Sequence, residues 1–139
     1  MEKETLKCLQ YTGTKTVYAA PLNRADAASR LGRNIKSDNN DEEEGYLLQY
    51  GDGYQSWSPK STFEKAYKHS ATFVDRMHIE IDELNERIVA LNNFMLTSKY
   101  RQMTENEKNM LVLQFTHMHD YYDALAIRID YYKTFGINF

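Results

Sequence analysis

The chain has 139 residues, enough for one domain or one small module with an extension, and too few for an enzyme with a separate cofactor domain. Its 17 Lys and Arg against 20 Asp and Glu give a formal net charge of -3, so no global basic field attracts nucleic acid and an anionic ligand needs a local cluster. The 11 Tyr, 6 Phe and 1 Trp, beside only 6 Gly and 2 Pro, mark an ordered protein, while the single cysteine, Cys8, can close no internal disulfide and is too few for structural zinc.

That cysteine usage suits a reducing cytosol. Residues 1–5 are charged, no apolar h-region follows, and no run of about 18 apolar residues occurs, so neither a secretory leader nor a membrane span is expected. In chain order, residues 14–20 (TKTVYAA) are rich in β-branched and aromatic side chains and are closed by Pro21, which predicts a strand. Residues 24–31 (RADAASRL) have the composition and spacing of a short helix, with Asn23 as N-cap and Gly32 as its end. Residues 36–45 (KSDNNDEEEG) are polar and acidic and predict a solvated loop; the ligand order of an EF-hand is absent.

Tyr46 to Tyr50 and Tyr54 to Trp57 flank the turn Gly51, Asp52, Gly53, the strongest hairpin signal in the chain. Ser58 and Pro59 end the second strand. Ser61 with Glu64 three residues later reads as a capping box that opens a short helix, STFEKAY, over one face of the small sheet. From Thr72 the apolar residues Phe73, Met77, Ile81, Leu84, Ile88, Leu91 and Met95 recur at steps of four and three, the period of one helix face. After a short polar link, Thr104 with Glu107 forms a second capping box, and Leu111, Phe115, Met118, Tyr122, Leu125, Ile129 and Tyr132 repeat the rhythm up to Gly136. So short a link makes the pair an antiparallel hairpin, with Phe94 near Met110, Leu84 near Met118 and Phe73 near Ile129.

The expected fold is therefore α+β: a small N-terminal antiparallel sheet with short helices over residues 1–70, then a two-helix hairpin over residues 71–139, packed as one unit. Ile79, Val89, Leu113, Tyr121 and Ile127 lie off the main stripes, more apolar surface than one intramolecular partner covers, so a homo-oligomer, at least a dimer, is expected.

Chemistry is sparse. His117 and His119 are two apart on a helix, hence about 200° apart around its axis, and cannot share an ion, so no metal site is expected. No nucleophile elbow, phosphate-binding glycine loop or paired catalytic acid is visible, and the acids Glu80, Asp82, Glu83 and Glu86 read as a solvated face. What remains is a set of aromatic and arginine residues at element ends: Tyr50, Tyr54 and Trp57 on the hairpin, Arg76, Arg101 and Arg128 on the helices. Arginine pairs with phosphate, aromatic faces stack on bases, and the amides from Thr104 to Glu107 at a helix N-terminus receive anions, a set that suits a nucleotide. The same residues also suit a core, ion pairs and a simple cap.

The runs GTKTVYAAPLNRADA, EGYLLQYGDGYQSWSPKSTFEKAY and TFVDRMHIEIDELNERIVALNNFM, with QFTHMHDYYDALAIRI in the last helix, resemble small proteins of tailed phages, crAss-like phages among them. More broadly, a small N-terminal sheet followed by two long helices is similar to the first Thoeris anti-defence family, phage sponges that trap cyclic nucleotide immune signals at a dimer interface. Some of its members assemble into hexamers with further sites for cyclic oligonucleotides. The resemblance implies that Phe94 stacks on an adenine, that Thr104 and Asn106 contact the ligand at the start of the second long helix, and that Arg128 holds phosphate. The family's arginine one turn earlier is not matched, because position 124 is Ala124, so a phosphate contact has to come from elsewhere, such as Arg33 or Lys60.

By helix geometry Arg128 lies roughly 30 Å from the linker end that holds Phe94, Thr104 and Asn106, so two antiparallel protomers are needed to bring them together. The expectation is a non-enzymatic sponge in the host bacterial cytoplasm. It takes a cyclic nucleotide signal as its small partner, no cofactor and no metal, and neither a membrane nor a nucleic acid polymer. The alternative is a protein–protein interaction module of a phage without a small ligand.

Overall fold

The structure, a computed structural model, describes residues 6–35 and 42–136. The charged start at residues 1–5 and most of the acidic stretch expected as a loop, residues 36–41, lie outside the described residues. The chain divides into two compact units, Met1–Tyr67 and Lys68–Phe139.

The first unit is a three-stranded antiparallel sheet in the order β1-β2-β3, with β1 at Tyr18–Pro21, β2 at Gly45–Gln49 and β3 at Gln55–Pro59. The first strand is shorter than residues 14–20 and includes Pro21 instead of stopping before it. Its register explains this: Tyr18 already pairs with Gln49, the last residue of β2, so residues 14–17 pass beyond the end of their only neighbour. Pro21, opposite Tyr46 on an edge strand, removes no donor that the sheet needs.

Helix α1, Arg24–Leu31, starts where Asn23 caps it, its side chain accepting from the Asp26 N–H at 2.8 Å, and stops at Gly32, whose φ of 66° is the left-handed turn of a C-cap. The β2–β3 hairpin closes as the sequence predicts: Tyr50 N–H donates to the Tyr54 carbonyl and Gly53, at φ 89°, to the Tyr50 carbonyl, both at 2.9 Å. Trp57 on β3 lies against Gly45 on β2 and donates its indole N–H to the Leu22 carbonyl at 2.7 Å. A Cβ at position 45 would run into the Trp57 ring and the Ser58 carbonyl, so glycine is required there by close approach and not by its φ. Strand β3 ends at Pro59, which pairs with Gly45, so Ser58 and Pro59 are its last two residues.

Helix α2, Lys60–Ala66, follows directly, and the capping box expected at Ser61 and Glu64 does not form. The helix begins at Lys60, so Ser61 already lies inside it, with Pro59 at the N-cap and no side chain closing it. Glu64 is drawn elsewhere: its carboxylate accepts from the Tyr46 hydroxyl at 3.0 Å, which raises the Tyr46 phenol above its ordinary range. Phe63 stacks on Tyr46 with centroids 4.1 Å apart, fixing α2 to the sheet.

The second unit is helical: α3 at Phe73–Met95, a one-turn helix α4 at Ser98–Arg101 and α5 at Glu105–Phe135. Both long helices open on complete capping boxes, Thr72 with Asp75 and Thr104 with Glu107, and α5 closes on Gly136 at φ 58°. The link, expected to be simply polar, contains α4, capped by Thr97. Helices α3 and α5 pack around Leu84, Ile88 and Leu125, with Ile81, Phe115, Met118 and Tyr122 against them, and Met77 is buried further along α3. Leu84 and Met118 thus share one cluster as the register predicts; Phe73 meets the Tyr132 ring edge-on at 4.9 Å, three residues along α5 from Ile129.

Candidate functional site

Phe94 lies one residue before the end of α3, where its ring meets the edge of Tyr100 on α4 with centroids 6.3 Å apart. It is half-buried, while Met110, its expected neighbour, is 63% exposed. Phe94 therefore faces the linker, and Tyr100, which the sequence leaves in a featureless polar link, is the side chain that orients it.

Thr104 accepts the Glu107 N–H at 3.2 Å through its hydroxyl, and its own N–H donates to the Glu107 carboxylate at 3.0 Å. Lys108 N–H returns to the Thr104 carbonyl at 3.0 Å. Two amides of this first turn are left for a ligand, those of Glu105 and Asn106, and they sit among the carboxylates of Glu105 and Glu107. An anion there meets the carboxylate of Glu107 and that of Glu105, the latter paired with Lys108 at 3.4 Å, so the polar groups of Thr104 and Asn106 suit a neutral part of a ligand better than a phosphate. Exposed Asn106 is at the second helical position.

Arg128 is exposed near the other end of α5 and makes no hydrogen bond or ion pair among the described residues. Its positive charge reaches the phenol of Tyr121 two turns earlier. Tyr121 donates its hydroxyl to Glu80 of α3, and that bond, ahead of burial and the charge of Glu80, raises the phenol above its ordinary range against the pull of Arg128. Glu80 and Tyr121 are read from sequence as parts of a solvated acidic face and an off-stripe apolar position. The register that puts Leu84 beside Met118 also puts position 80 beside 121, so the signal was present.

The two residues suggested for the missing phosphate contact are on the first unit and are both engaged. Arg33 donates to the Tyr54 hydroxyl at 3.0 Å and to the Gln55 carbonyl, with its guanidinium 5.3 Å from the Tyr54 ring centroid. Lys60 pairs with Glu44 at 3.4 Å. On the hairpin, Tyr50 and Tyr54 stack at 5.9 Å, and Lys15 lies 5.4 Å from the Tyr50 centroid, so cations already occupy both rings.

Among the described residues no group of three His, Cys, Asp or Glu could hold a metal ion, and no helix is long and apolar enough to cross a membrane. His119 packs its ring against Phe115 at 4.6 Å.

Residues 71–131 match the Sequestin family model. The matched segment opens just before the Thr72 cap and ends at Tyr131, so it takes in α3, α4 and most of α5 and none of the first unit. Phe94, Thr104, Asn106 and Arg128 all fall inside the Sequestin match, whereas Arg33 and Lys60 fall outside it. The family name denotes holding a molecule and not turning it over. No curated protein and no solved structure matches the chain.

Proposed function

We propose that the chain is a phage-encoded anti-defence sponge that binds a cyclic nucleotide immune signal, a cyclic ADP-ribose isomer or a cyclic oligonucleotide, and withholds it from its effector without cleaving it. The observation that carries this reading is the Sequestin match over residues 71–131, the stretch that bears Phe94, Thr104, Asn106 and Arg128. In the proposed site Phe94 stacks on a base, Thr104 and Asn106 bond polar groups of the ligand, and Arg128 holds phosphate. Arg33 and Lys60 lie on the first unit, each with a partner of its own.

The site needs two copies of the chain. Position 94 lies about 40° around the α3 axis from position 80, and position 128 about 20° around α5 from position 121, so both sit on the flank that the Glu80–Tyr121 bond marks, at opposite ends of the hairpin. A two-fold axis on that flank sets Phe94 of one protomer toward Arg128 of its partner and makes two equivalent pockets. A hexamer then requires a second contact. Sequestration needs high affinity and abundance, and no turnover.

The test is recovery of ligand. The purified chain is incubated with a panel of cyclic dinucleotides, cyclic trinucleotides and cyclic ADP-ribose isomers, separated from free ligand, heated and analysed by mass spectrometry. Release of one intact compound is the expected result. A cleaved product would make the protein an enzyme, and no retained compound would leave the interaction-module reading, which the exposed apolar residues of α5 also suit.

A further inference from the structure

The hairpin carries two exposed arginines, Arg76 and Arg128, that form no ion pair among the described residues. Arg128 has Ala124 and Tyr132 at i-4 and i+4 and Leu125 and Tyr131 at i-3 and i+3, so no carboxylate stands at any position on its own helix that could neutralise it. Arg76 does have such a carboxylate, Glu80 at i+4, yet Glu80 accepts from the Tyr121 hydroxyl instead, and Arg76 spends one N–H on the Ser70 carbonyl at 3.1 Å. Both guanidiniums are exposed, in a chain whose net charge is -3.

Two cross-helix contacts show that these arginines stand together. From the Phe73–Tyr132 ring contact, Arg76 is three residues up α3 and Arg128 four residues back along α5, heights of about 4.5 and 6 Å. From the Glu80–Tyr121 bond they are four and seven residues away in the same direction, about 6 and 10.5 Å. Both measures put them within about 5 Å in height, and each lies within about 40° around its axis of the residue that makes the bond, so they share one flank. Side chains as long as arginine close such a gap readily.

We propose that Arg76 and Arg128 form a two-guanidinium clamp for a phosphate or diphosphate group, held open by Tyr121, which keeps Glu80 away from Arg76. The clamp rests on the sponge reading for the identity of its ligand, and it sets a guanidinium of α3 beside that of Arg128 on α5. With one N–H of Arg76 held by Ser70, the two guanidiniums still offer about nine N–H donors in fixed forks, which suits the paired oxygens of a diphosphate bridge better than a carboxylate or a neutral ring.

The test uses the full chain and inorganic pyrophosphate, titrated by calorimetry, with thermal melts of every variant. Arg76→Ala and Arg128→Ala are expected to weaken pyrophosphate binding about tenfold or more each, with melting nearly unchanged. Tyr121→Phe keeps both arginines but frees Glu80 to pair with Arg76, so binding should also weaken; adding Glu80→Gln to that variant should restore it. Pyrophosphate binding that is absent, or indifferent to Arg76→Ala, overturns the clamp, and so does a Tyr121→Phe loss that Glu80→Gln fails to rescue. The two readings separate cleanly: intact cyclic nucleotide recovered from the wild type and equally from Arg76→Ala leaves the sponge standing without the clamp. Pyrophosphate held through both arginines, with nothing recovered from the cyclic panel, leaves the clamp without the sponge.

Discussion

Of its large apolar residues helix α3 leaves Val89 exposed, whereas α5 leaves seven exposed, Met110, Val112, Leu113, Tyr121, Ile127, Tyr131 and Phe135. In α3 the buried residues Met77, Leu84 and Ile88 all lie on the stripe that starts at Phe73. In α5 the corresponding stripe buries Leu125 alone, and Met110, Leu113, Ile127, Tyr131 and Phe135 stand exposed on other faces. The difference lies in what each helix has to pack against. One antiparallel partner satisfies the single stripe of α3, whereas α5 offers its stripe to α3 and keeps a second apolar surface for something else. The same contrast runs through the polar groups, since α3 gives Glu80 to Tyr121 and α5 leaves Arg128 without a carboxylate.

The sharpest way to break this comparison is to empty the shared core. Leu125 is 2% exposed and packs with Leu84 and Ile88, so Leu125→Ala should cost about 2 to 5 kcal/mol in denaturant unfolding. A loss below about 1 kcal/mol would mean that the hairpin is not held by this cluster. Phe94 offers the next effect, on binding: Phe94→Ala should lose about 1 to 3 kcal/mol of affinity for the ligand recovered from the panel, the value of an aromatic–base stack, and Phe94→Tyr should keep most of it. Its half-buried ring meets Tyr100 edge-on, so folding should suffer much less than for a fully buried Phe. A melting loss as large as that of Leu125→Ala would return Phe94 to the core.

Much of this was legible in the sequence because the signals are local. Asn23, Thr72, Thr104, Gly32 and Gly136 act through bonds that reach three or four residues, and the two apolar stripes follow from one helix period. Where reading failed, a long-range partner decided. Residues 14–17 have the composition of a strand, but no residue of β2 lies opposite them. Glu64 has the spacing of a capping box, but the Tyr46 hydroxyl takes its carboxylate. Of the candidate site, Phe94, Thr104, Asn106 and Arg128 follow from the resemblance alone, because their spacing suits a core, an ion pair or a cap equally well. Arg33 and Lys60 could not be judged without seeing Tyr54, Gln55 and Glu44 around them.

The second face of α5 is probed by changing a residue the fold does not use. Ile127 is 71% exposed, so Ile127→Lys should alter the stability of the isolated chain by no more than about 0.5 kcal/mol. If that face is covered by another copy, the wild type sediments as a dimer or larger at micromolar concentration and the lysine shifts it toward monomer. A wild type that sediments as a well-folded monomer would remove the two-copy site.

The smallest effect separates the two ends of α3. The Asp75 carboxyl is held below the ordinary carboxylate range, first by the hydrogen bond it accepts from the Thr72 N–H, then by the Thr72 hydroxyl and by His69, whose Nδ1 is 3.1 Å away. A carboxyl whose folded value lies below its unfolded value of about 3.9 contributes stability that is complete above that value and is lost as pH falls through the folded one. Asp75→Asn keeps an oxygen to accept from Thr72 but cannot ionise. The wild type should therefore melt above Asp75→Asn at pH 7, and the gap should close as the medium is taken below about pH 4. A gap that stays constant from pH 7 to the acid limit would show that the charge on Asp75 stabilises nothing. The start of α3 would then be held by hydrogen bonds alone, as a neutral asparagine holds the start of α1.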